Sequence, residues 1–98
     1  MFTQPIGFHN YDSAEWTTGI VTDYDVSAQS LFVNCKAPTY VSIRVDTAIT
    51  VRFNGTTPAT SPAITISPNT TFELPIFLTG IYITTTAPTA VKIILAQV

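Results

Sequence analysis

The chain has 98 residues, of which 46% are hydrophobic and only 10% charged, and its net charge is −2. A chain of this length holds one hydrophobic core, and about 25% of a typical soluble domain is charged, so its surface is poor in ions. Lys36, Arg44, Arg52 and Lys92 stand singly along the sequence, which argues against nucleic-acid binding, and no apolar run approaches the roughly 20 residues that a membrane-crossing helix requires.

A subunit covered by neighbours does not need charge to hold it apart from them, so the ionic deficit favours permanent assembly. The competing reading is a soluble sandwich in which eighteen threonines supply the polarity. Residues 1–10 lack a basic stretch followed by a continuous apolar one, so no cleaved secretory signal is expected. Cys35 is the single cysteine; it cannot form an internal disulfide and is expected to pack as a small apolar side chain.

Residues 1–14 place Phe2, Ile6, Phe8 and Tyr11 among Gly, Asn, Gln and Pro without a period, which reads as an N-terminal arm preceding a single domain over residues 15–98. Such an arm packs either on a neighbouring subunit or back on its own sandwich. Residues 15–22 and 30–36 are β-prone and separated by an acidic turn, Asp23-Tyr24-Asp25. In residues 40–46, Val41, Ile43 and Val45 alternate with Tyr40, Ser42 and Arg44. Asp46 and Thr47 connect this strand to one that buries Ile49, Val51 and Phe53 and ends at the turn dipeptide Asn54-Gly55. The two prolines of residues 56–62 mark an exposed loop.

Ile64 and Ile66, then Phe72 and Leu74, define two short strands about the Pro68-Asn69 turn. A seventh strand runs from Leu78 through residues 81–84, and Ala87-Pro88-Thr89 leads into Val91, Ile93 and Leu95. Period-2 alternation recurs throughout and no helical period does. The expected fold is therefore all-β: an antiparallel β-sandwich or jelly roll of about eight strands.

The residues offer little for catalysis. His9, Asp12 and Ser13 are the three types of a hydrolytic triad, but they are crowded into one arm with no nucleophile elbow. One histidine and one cysteine cannot close a four-ligand zinc site, and Asp23 and Asp25 lack the glycine-bearing spacing of a calcium loop. The four glycines form no phosphate loop, no specific carboxylate pair suggests glycoside hydrolysis, and the sequons at Asn54 and Asn69 read first as turns. No catalytic, metal or cofactor residue is expected. Tyr40 and Tyr82 lie on the polar sides of their strands, and with Trp16, Tyr11 and Tyr24 they suit a protein interface or a sugar-stacking platform.

From residue 48 to 96 the chain reads AITVRFNG, AITISPNTTFEL, GIYITTT and AVKIILA in that order. This succession of phrases resembles the small β-sandwich virion proteins of tailed bacteriophages, the head decoration, cement or minor structural proteins, over about half of the chain. The resemblance implies a structural protein that binds and stabilises a capsid, with the major capsid protein and sister subunits as partners. It further implies a homo-oligomer on the capsid surface, made in the host cytoplasm, and carries over no functional residue. The alternative is a receptor- or glycan-binding module of a tail or fibre. In either case Phe2, Ile6, Phe8, Tyr11, Tyr40 and Tyr82 are the expected contact residues.

Overall fold

Strands form where β-branched and aromatic residues alternate with polar ones, because alternate side chains point to opposite sheet faces. The computed structural model describes residues 10–54 and 62–97. It contains β1 (Asn10–Thr18), β2 (Tyr24–Asp25), β3 (Tyr40–Val45), β4 (Ile49–Phe53), β5 (Ala63–Ile66), β6 (Thr71–Leu74), β7 (Ile81–Thr85) and β8 (Thr89–Gln97). Helix among the described residues is confined to one 3-10 turn, Val26–Gln29.

The strands form two four-stranded antiparallel sheets, ordered β1-β8-β3-β6 and β2-β7-β4-β5. Pairing runs β1 with β8, β2 with β7, β3 with β6 and β4 with β5, as in one long hairpin. That ribbon folds across itself so that β3 meets β8 and β4 meets β7. This is the jelly-roll order, which selects between the two architectures expected from the sequence. The inner faces contribute Val41, Ile43, Val45, Ile49, Val51, Ile81, Ile83, Val91, Ile93 and Leu95 to the core, each at most 3% exposed.

Three assignments differ from expectation. Residues 30–36 form no strand: Ser30 and Phe32 take positive φ values of 66° and 70°, and the Val33 and Asn34 amides donate to Asp12 Oδ2 at 3.0 and 3.1 Å. Those amides are satisfied by a side chain instead of a ladder. Tyr24 and Asp25, expected in a turn, pair with Ile83 and Tyr82. Residues 10–14, assigned to the arm, belong to β1, where Asn10 to Thr18 run in unbroken register with Gln97 to Thr89. Phe2, Ile6, Phe8 and His9 lie outside the described residues, as does most of the 56–62 loop.

At one end of the sandwich the chain crosses between sheets four times, at residues 19–23, 46–48, 67–70 and 86–88. A crossing strand loses its ladder partners, so its amides must find others. Threonine hydroxyls take that place. Thr85 Oγ1 accepts from the Val21 amide at 2.9 Å and donates to the Gly19 carbonyl at 2.8 Å. Thr89 Oγ1 accepts from the Asp46 and Thr47 amides at 3.2 and 2.9 Å, and Thr84 Oγ1 accepts from the Asp23 amide at 3.0 Å. Thr85 and Thr89 are only 3% and 4% exposed.

Replacing the Thr85 hydroxyl by a methyl group of the same shape leaves the Val21 amide without this partner, and replacing that of Thr89 does the same to the Thr47 amide while Asp46 retains the Ala90 carbonyl at 3.3 Å; each substitution costs about 2 kcal/mol. Thr85→Val and Thr89→Val are therefore each expected to lower the melting temperature by roughly 10 °C. Thr65→Val, at an exposed position on β5, is expected to change stability by less than about 0.5 kcal/mol. Thermal unfolding followed by circular dichroism separates the two classes.

Candidate functional site

The outer face of the β1-β8-β3-β6 sheet carries two of the three tyrosines expected as contact residues. Tyr11 and Tyr40 are both register partners of Ala96, which puts them in one row two strands apart, with Cα atoms about 10 Å from each other. Ala96 is 2% exposed although it faces outward, whereas Tyr11 is 65% exposed. Tyr40 is half-buried; burial, followed by its hydrogen bond to Glu73 and the charge of that carboxylate, holds its phenol pKa above the ordinary value. Tyr82 is not part of this row, because it faces outward from the other sheet, beside Arg52 and Asp25.

The cations also sit differently from their sequence spacing. Arg44 and Lys92 are direct cross-strand partners on the first sheet's outer face, and Glu15 flanks Lys92 on its other side. On the opposite sheet Arg52 approaches Asp23 at 3.6 Å. Among the described residues no group of three His, Cys, Asp or Glu side chains gathers as a metal site, and no helix is long and apolar enough to cross a membrane.

Strand β1 is a sheet edge nine residues long. It contains no proline or lysine, and of its two acids Asp12 turns inward to hold the 33–34 amides while Glu15 faces outward. No described residue pairs with its free side. Among the described residues four large apolar side chains are exposed: Tyr11, Ile20, Val33 and Phe77. Three of them rim this edge. Tyr11 is the second residue of β1, Ile20 lies two residues past its end, and the Val33 amide is tied to Asp12.

At the end of the sandwich away from the crossings, a groove of about 330 Å³ opens where residues 25–36, 77–80 and Tyr82 meet. Its aromatic walls are Phe32, Phe77 and Tyr82; its polar groups are Asp25, Ser27, Lys36 and Thr79. Both rims are anchored from outside. Asn54 sits in the left-handed region at φ 65°; its side chain donates to the Phe77 carbonyl at 2.6 Å and accepts from the Thr79 amide at 2.7 Å. Asn54 is the described half of the expected Asn54-Gly55 turn dipeptide, Gly55 lying outside the described residues, and its side chain shapes the 77–79 rim. Phe32, at φ 70°, holds a backbone conformation that costs a bulky residue about 1 to 3 kcal/mol. The Asp12 carboxylate keeps that loop in place through Val33 and Asn34. Sequence reasoning found Tyr82 but not Phe32, Lys36 or Phe77, whose sequence separation hides their proximity.

Cys35, fully buried on the same loop, has its thiol pKa raised first by desolvation and then by the Asp12 charge. The thiol stays protonated and shielded while the loop is anchored. Asp12→Ala removes the acceptor of two loop amides, a loss of about 2 kcal/mol that raises the open population of the loop roughly 30-fold. Reaction of Cys35 with Ellman's reagent under native conditions is expected to be negligible in the parent chain and to accelerate by about that factor in the variant.

No protein-family model matches this sequence, and no curated protein matches it. Among solved structures, protein NMB1881 from Neisseria meningitidis is similar with a TM-score of 0.51 and 14% identity, over 99% of this chain and 87% of that one. At that identity the likeness extends to the fold alone. ToxT from Vibrio cholerae, solved with unsaturated fatty acid bound, gives a TM-score of 0.46 at 5% identity, with 96% of this chain matched to 32% of that one. A chain from Bacillus endospore appendages, described as a novel family of disulfide-linked pili, gives 0.36 at 16% identity over 100% of this chain and 99% of that one.

Proposed function

We propose that this chain is a structural virion protein that binds and stabilises a bacteriophage capsid, engaging the shell and sister subunits through the free edge of β1. The observation that carries the reading is the rimming of this long edge, unpaired among the described residues, by Tyr11, Val33 and Ile20. Natural sheets blunt exposed edges with lysine, proline, bulges or covering loops, because a bare edge templates strand addition. Here the edge is straight, lacks the first two devices and is flanked by apolar side chains, the arrangement of a surface that is covered in use. The low charged fraction supports the same reading, since a buried surface needs few ions. A jelly roll is also an architecture used by viral capsid proteins.

Introducing charge on the edge separates docking from folding. Ser13 and Thr17 are exposed and face outward on β1, so Ser13→Lys combined with Thr17→Lys alters the edge without entering the core. In native mass spectrometry the parent chain is expected to run as an oligomer and the double variant as a monomer with an unchanged circular dichroism spectrum. The parent chain is also expected to bind its cognate capsid shells and protect them against heat, and the variant to lose that protection. A parent chain that stays monomeric and leaves the shells unprotected would rule the proposal out.

A further inference from the structure

We propose that the groove between residues 25–36, 77–80 and Tyr82 is a binding site for a neutral saccharide unit. This site uses none of the β1 edge residues, so it stands independently of the capsid reading.

The groove combines two features that a pyranose ring needs at once. Phe32, Phe77 and Tyr82 present aromatic surface, and Phe77 is 59% exposed, a state that leaves its ring available to stack. A sugar offers C–H groups on its faces and hydroxyls around its perimeter, so it pairs with flat rings and hydrogen-bonding groups together. Asp25, Ser27, Lys36 and Thr79 supply the second set from the same lining. One Asp25 oxygen already accepts from the Ser27 amide at 2.9 Å, which orients the carboxylate and leaves its remaining lone pairs for hydroxyl donors.

Other ligand classes fit less well. A wholly apolar ligand would desolvate Asp25 and Lys36 without giving them partners. An anion would meet Lys36 but also Asp25, and a cation the reverse, whereas an uncharged polyol meets both favourably. The anchoring is consistent with recognition: a strained Phe32 and an Asn54 clamp hold the rims in place before any ligand arrives.

Gly80 provides a way to fill the groove without replacing any of its recognition groups. The three atoms nearest to a Cβ placed there all belong to the Tyr82 side chain, the first at an ordinary 3.6 Å, so a side chain at this position, which lines the groove, is accommodated without backbone clash.

The test is titration of the 15N-labelled full chain with the methyl glycosides of glucose, galactose, mannose and N-acetylglucosamine, one at a time, followed by amide chemical shifts. At least one glycoside is expected to bind in the millimolar range, moving the amides of Asp25, Ser27, Phe32, Lys36, Phe77, Thr79 and Tyr82. Phe77→Ala and Tyr82→Ala are each expected to weaken binding roughly tenfold, and Gly80→Leu to abolish it, with the β3 and β8 amides unshifted in all three. Saturation-transfer difference spectra of the unaltered chain give a second readout, in which the sugar's ring C–H protons receive the strongest transfer. The proposal is overturned if none of the four glycosides shifts the groove amides, if the shifts fall elsewhere, if binding survives Gly80→Leu intact, or if ring C–H protons receive no transfer.

Discussion

Antiparallel pairing of β1 with β8, over nine residues in unbroken register, is the contact on which the rest of the molecule depends. It joins the two ends of one long hairpin, and the pairs β2 with β7, β3 with β6 and β4 with β5 follow inside it. Once the ribbon is closed in this way, only folding it across itself brings the apolar rows of both halves together. The lateral pairs β3 with β8 and β4 with β7 record that step. Most pairings are therefore distant in sequence, and a fold dominated by non-local contacts orders slowly because loop-closure entropy must be met before the contacts form.

The same topology explains where threonine is used. A ribbon that crosses from sheet to sheet leaves amides unpaired at each crossing, and a β-branched residue with a hydroxyl can serve the strand and the stranded amide together. Thr84, Thr85 and Thr89, from one short stretch around the β7 to β8 crossing, bond to two of the other crossing segments, residues 19–23 and 46–48. At the other end of the sandwich the connections are longer and irregular, and carboxamide or carboxylate side chains do the same work: Asn54 for residues 77–79 and Asp12 for residues 33–34. One end is thus a compact set of crossings, and the opposite end is a set of anchored loops able to form a groove.

Charge is sparse but not scattered in space. Arg44 and Lys92 face each other across two strands with Glu15 alongside, Arg52 meets Asp23, and Tyr40 is tied to Glu73. Glu15, Arg44, Arg52, Glu73 and Lys92 thus occupy the outer faces of the sheets, while exposed apolar side chains gather at the β1 edge and the groove rim. That division separates two surfaces of different chemistry: an edge with backbone groups and apolar flanks suited to another polypeptide, and a concave mixture of rings and polar groups suited to a small ligand.

The all-β class and the inward residues of β3, β4, β7 and β8 were legible in the sequence, because a period of two is a local property that one strand displays unaided; the total of eight strands agrees because residues 30–36, read as a strand, are offset by β2, read as a turn. Residues that act through distant partners were not. Asp12 read as part of an arm although its carboxylate organises a loop 21 and 22 residues away, and residues 30–36 read as a strand because nothing local announces that their amides are taken by that side chain. Tyr11 and Tyr40 share a row, Tyr82 belongs to another face, and Phe32, Lys36 and Phe77 line one groove. Strand composition sets which face of each strand is apolar, whereas strand order sets which outward residues become neighbours. The latter is decided only when the whole ribbon folds, since apart from β4 with β5 every pairing joins strands that are not neighbours in sequence.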